Sequence, residues 1–154
     1  MALVGGPYLI VQAVRRADAV FVVGTSLFCV TIVALYLASA LYHALPAGRA
    51  KRVLRVIDHS SIFLLIAGSY TPFTLGVLRG AWGWALFGVV WGLALVGIVL
   101  KSVGKASHPI ASTGLYLLMG WLVVIAVDPL FAKVPTAGLL WLLAGGLFYT
   151  AGVA

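Results

Sequence analysis

Three side chains have types and spacing suited to chemistry: Ser39, His43 and Asp58. They flank the stretch LYHALPAGRAKRVLRVIDHSS, residues 41–61, which holds two of the three histidines, one of the three acids and four of the ten basic residues. Ser39 and His43 are four apart, so on a helix they share a face one turn from each other. Asp58, Ser61, Leu65 and Ser69 follow the helical period and put three polar groups on one stripe. An imidazole is a zinc ligand, and catalytic zinc takes three protein ligands with one position left for water. The chain has three histidines, His43, His59 and His108. His59 follows Asp58 directly and points about 100° away from it on a helix. His108 precedes Pro109 at the head of an apolar run. His43 is therefore the metal candidate, and His59 and His108 are expected to be structural. Asp58 has a second explanation of equal weight, since a carboxylate in a first helical turn suits the helix dipole and can pair with Arg55.

What must position these groups is a chain made for lipid. Of its 154 residues, 64% are hydrophobic and 8% charged, and the mean hydropathy is +1.18. Soluble domains carry about a quarter charged residues, so this composition cannot cover a water-facing surface. A helix needs roughly 20 apolar residues to cross the hydrocarbon core. The sequence predicts an all-α polytopic transmembrane helix bundle forming one domain over residues 1–154, with five full spans at 19–45, 57–78, 81–100, 110–127 and 136–154. Residues 2–14 are expected to be a partial first helix; they lack the basic start and cleavage site of a signal peptide. The last run stops while still apolar, without the anchors that close membrane helices, so the chain reads as cut at both ends. Pro72 is expected to kink its helix. Gly88 and Gly92, with Gly114, Gly120, Gly145 and Gly146, are expected at close helix contacts inside the bundle.

Charge sets the orientation. Arg49, Lys51, Arg52, Arg55, Lys101 and Lys105 fall on one side, and Arg15, Arg16, Arg79 and Lys133 on the other. The positive-inside rule puts the loops 46–56 and 101–109 in the cytoplasm, with Trp82 and Trp84 at the outer interface. The second helix then ends near His43 and the third starts near Asp58, at one depth, with their polar stripes facing each other because lipid would leave them unsatisfied. The net charge of +7 is spread over short breaks and forms no basic face, which argues against nucleic acid. Membrane lipids are the expected partners. Cys29 lies alone in an apolar run, a packing residue with no disulfide to make.

The stretch SALYHALPAGRAKRVLRVIDHSSIFLLIAGSYTPF, residues 39–73, closely resembles the hemolysin III family of bacterial membrane proteins, relatives of the progestin and adipoQ receptors and, further off, of the alkaline ceramidases. The serine-x-x-x-histidine and the aspartate are the wider group's marks; AGSYTPF and LYLLMGW resemble the bacterial branch. The resemblance covers nearly the whole chain. It implies a seven-helix fold in the bacterial inner membrane with an intramembrane zinc near the cytoplasmic leaflet. His43 matches a zinc ligand, and Asp58 and Ser39 match the polar residues beside the metal, the aspartate holding or orienting its water. The family's final His-x-x-x-His and its polar N-terminal segment have no counterpart here, so this chain is expected to bind zinc weakly or not at all. The resemblance implies a zinc hydrolase of lipid amides or esters. The alternative is a non-enzymatic cytolytic or lipid-homeostasis protein with a structural metal. A receptor role lacks an extracellular ligand domain.

Overall fold

The computed structural model describes residues 2–15, 18–104 and 109–153, and among them all the regular elements are helices. Helices α1 (Ala2–Arg15) and α2 (Ala19–Ala44) meet at Asp18, whose carboxylate accepts from the Val20 and Phe21 N–H groups at 3.2 Å and caps α2. Four residues later α3 (Arg49–Pro72) begins and passes into a π-helical segment, Phe73–Leu78. Then come α4 (Gly80–Ser102), α5 (Pro109–Trp121), a 3₁₀ segment (Leu122–Ala126), α6 (Val127–Lys133) and α7 (Thr136–Val153). Among the described residues, Ala19–Ala44, Arg49–Leu78, Gly80–Ser102 and Ile110–Lys133 are long and apolar enough to cross a membrane, and Thr136–Gly152 is apolar but shorter. Large apolar side chains such as Val30, Tyr36, Leu95 and Phe148 point outward, where only lipid can receive them. The chain is a multi-pass membrane protein.

The centre is α3. Half of its apolar stretch is buried, against 17% for α2 and 28% for α4. Phe63, Ala67 and Tyr70 of α3 pack with Val90 and Ala94 of α4 and with Tyr116 and Met119 of α5. Against α2 the approach is close enough to exclude side chains: a Cβ on Gly24 would fall 2.8 Å from Pro72 Cα, and one on Gly68 would collide with Thr31 Oγ1. These two pairs set an antiparallel register between α2 and α3.

Three expectations need correction. The helix foreseen at 57–78 starts at Arg49, so the loop 46–56 shrinks to residues 45–48. Hydropathy reports where lipid begins, whereas Ala, Lys, Arg and Leu in residues 49–55 are strong helix formers that continue the helix into water. Asp58 therefore sits in the third turn of α3, not the first. The run foreseen at 110–127 continues through Asp128 to Lys133, because one acid in a helix does not end it. Gly88, Gly92, Gly114 and Gly145 have no atom within 4 Å of where a Cβ would stand, whereas Gly120 and Gly146 lie against Tyr149 and Trp121; α4 buries another stripe, Gly83, Leu86, Val90, Ala94 and Gly97. The disturbance expected at Pro72 takes the form of the π-helical segment, since proline has no N–H for the carbonyl of Gly68. At this end of α3 the chain is tied down: Arg79 pairs with Asp18 and donates to Gly76 O at 2.8 Å, and Lys133 Nζ donates to Leu78 O.

Candidate functional site

The register tests the expected meeting of His43 and Asp58. Ten residues on from Thr31 along α2 is Leu41, and ten residues back from Gly68 along α3 is Asp58. At about 1.5 Å per residue, His43 and Asp58 thus differ in depth by only about 3 Å. Their directions differ more. The side of α2 facing α3 carries Gly24, Thr31 and, seven further on, buried Ala38. His43 is five residues past Ala38, about 140° around the helix. It instead falls within about 40° of Cys29, whose Sγ contacts Gly6 O at 3.6 Å on the α1 side. His43 is exposed there, its ring edge-on to Tyr42 with centroids 4.9 Å apart. Half-buried Ser39 lies between the two directions. Among the described residues no hydrogen bond or ion pair joins His43 to Asp58.

Asp58 has other company. Its side chain is 17% exposed, and Oδ2 lies 3.7 Å from His59 Nδ1; the pairing with Arg55 is not made. His59 Nδ1 is 2.7 Å from Arg55 O, a contact in which the ring nitrogen donates because a carbonyl oxygen only accepts. Tyr116 of α5 donates its hydroxyl to His59 O at 2.9 Å and lies within electrostatic reach of the Asp58 carboxylate. The stripe's serines turn back on their own helix: Ser61 Oγ donates to Ile57 O and Ser69 Oγ to Ile66 O, both at 2.8 Å. His108 lies outside the described residues. Among the described residues no group of three or more His, Cys, Asp or Glu side chains gathers to hold a metal.

Sequence reasoning missed the tyrosines. Tyr70, deep in α3, donates to Gly120 O at 2.7 Å and accepts from Val123 N–H at 3.0 Å. Its hydroxyl thus sits in the gap where α5 turns into the 3₁₀ segment, an insertion that breaks the helical ladder there. Tyr149 of α7 packs its ring over Gly120, and its hydroxyl, like that of Ser60, is buried with no hydrogen-bond partner among the described residues. Tyr70 and Tyr116 stand in the quoted runs AGSYTPF and LYLLMGW, but nothing in their spacing shows that they converge.

Beside Tyr70 and Tyr149 opens a cleft of about 820 Å³ between α3, the α5–α6 rod and α7, walled by apolar side chains including Trp121, Val124 and Leu140. Ser69 lines it. Ser69 is eleven residues past Asp58, which on a helix is about 20° of rotation and about 16 Å of rise. The carboxylate and the cleft therefore share one face of α3.

A family model described as Haemolysin-III related matches residues 1–154. The "Hemolysin-3 homolog" of Bacillus subtilis (strain 168) is 44% identical over 145 residues, covering 94% of this chain and 68% of the relative. The "Hemolysin-3" of Bacillus cereus is 40% identical over 144 residues, covering 94% of this chain and 66% of the relative. The chain spans about two thirds of the length of these relatives. No solved structure matches. With a family match across its whole length and relatives well above 30% identity, the chain belongs to the haemolysin-III related family of membrane proteins.

Proposed function

We propose that the chain acts on membrane lipids: it holds an acyl chain in the cleft and presents the Asp58 carboxylate farther along the same face of α3, as the lipid-binding part of a zinc-dependent hydrolase of lipid amide or ester bonds. The observation that supports this most is the alignment of Asp58 with Ser69 and the cleft. A pocket of this size, apolar with a few polar atoms, suits an alkyl ligand, and its neighbours are lipids. Zinc in such an enzyme would polarise the scissile carbonyl and lower the pKa of its water. Among the described residues, His43 is the donor this reading assigns to the metal. The described residues do not fit a complete zinc centre. Asp58 and Ser39 serve in this reading to orient water and the polar end of the lipid. The side bearing residues 46–56 and 101–109 faces the cytoplasm of a bacterial inner membrane.

The separation of His43 from Asp58 favours a second reading, a non-enzymatic cytolytic or lipid-homeostasis protein with a structural metal. Lipid-product analysis separates the two. Membranes containing the full hydrolase of which this chain is the lipid-binding part should accumulate a free fatty acid and its amine or alcohol partner, and His43→Ala and Asp58→Asn should each cut that accumulation at least about tenfold. Identical lipids in all three membranes would overturn hydrolysis and leave the second reading.

A further inference from the structure

Arg49, Lys51, Arg52 and Arg55 stand in the first two turns of α3. Thirteen residues on from Thr31, α2 ends at Ala44; thirteen residues back from Gly68 lies Arg55. Residues 49–54 therefore reach past the end of α2. Lys51 is turned inward, donating to Leu45 O at 2.9 Å and lying 5.3 Å from the centroid of the Tyr42 ring. The three arginines are exposed and fan across about 120° of the helix surface. Beside them lies an apolar sector of Ala50, Val53 and Ile57, with Val53 54% and Ile57 46% exposed. Among the described residues no carboxylate answers the arginines. The chain has three acids: Asp18 pairs with Arg79, Asp58 lies against His59, and Asp128 sits in α6.

A cationic sector next to an apolar one, on a helix emerging from a membrane bundle, matches the boundary between headgroups and acyl chains. We infer that residues 49–57 of α3 bind anionic phospholipid headgroups. Phosphodiester oxygens accept charge-assisted hydrogen bonds from the guanidinium groups of Arg49, Arg52 and Arg55, and Val53 and Ile57 contact the acyl chains beside them. This anchoring is independent of any hydrolytic activity. It fixes the depth of α3, and with it the depth of Asp58, by the charge of the leaflet.

The test uses the full chain in lipid nanodiscs, with Val53→Trp as a reporter. Quenching of the introduced indole by brominated phosphatidylglycerol is compared with quenching by brominated phosphatidylcholine at equal mole fraction, after subtracting the chain without the reporter. The anionic lipid is expected to be preferred severalfold. Arg52→Gln should lower the preference by less than about fivefold, the limit for one arginine, and Arg49→Gln, Arg52→Gln and Arg55→Gln together should abolish it while the far-ultraviolet helical signal stays constant. Inorganic phosphate at millimolar concentration should leave the preference intact. Equal quenching by both lipids, a preference untouched by the triple substitution, or displacement by inorganic phosphate would each overturn the proposal.

Discussion

Tyr70 and Tyr149 are chemically alike and oppositely placed. The Tyr70 hydroxyl holds both a carbonyl and an N–H of the broken α5 ladder, whereas the Tyr149 hydroxyl is buried with no partner among the described residues. Removing one member of a satisfied buried set leaves the others stranded, at a cost of about 1–3 kcal/mol. Tyr70→Phe should therefore lower the unfolding midpoint in detergent, and Tyr149→Phe should leave it unchanged or raise it. Equal losses in both would contradict these assignments. At this scale the sequence disclosed which residues are chemically able, but not whom they meet. His43, Ser39 and Asp58 stood out because polar side chains are rare in such a chain. The direction of His43 depends on the phase of α2, which is set by the Gly24 and Thr31 contacts with α3 and carries no local mark. The partner of Tyr70 is fifty-three residues away in sequence at Val123, beyond the reach of any helical period.

Between elements, small residues at two points decide how α2 and α3 lie against each other. A side chain on Gly24 would have to displace the backbone at Pro72, and backbone yields little. Gly24→Leu should cost at least about 1–3 kcal/mol by overpacking, read as a lower midpoint or loss of folded protein. Gly88→Leu, facing open space, should fall within about 0.5 kcal/mol of the parent. The reverse ranking would mean that α2 and α3 are packed in another register. The helices themselves were legible because a long apolar run in lipid has one way to satisfy its backbone. Their ends were not. Residues 49–56 are helical by propensity while carrying four cations, and residues 122–126 are apolar yet wound as a 3₁₀ segment, because a tyrosine from α3 occupies the gap. The glycine pair at Gly88 and Gly92 shows the limit of motif reading: the same spacing serves a contact or an outward face, and only the buried stripe of α4 tells which.

For the molecule as a whole, composition determined the solvent, the motifs of residues 39–73 and 115–121 carried the family resemblance, and the structure adds the cleft. The metal follows from the same view. Among the described residues no hydrogen bond or ion pair joins His43 to Asp58, and no three donors gather. Purified chain is thus expected to keep well under one zinc per molecule against a tight chelator; one firmly held zinc, lost in His43→Ala, would contradict this.

Occupancy of the cleft tests the central claim, that lipid lies along the α3 face bearing Asp58. The measurement is photolabelling of the protein in vesicles with a phospholipid carrying a diazirine near the end of one acyl chain, with the adducts mapped by mass spectrometry. Adducts are predicted at Ser69, Trp121 and Tyr149, sharply reduced when Ser69→Trp fills the space. Labelling confined to outward residues such as Val30, Tyr36 and Leu95, with the cleft walls bare, would contradict it.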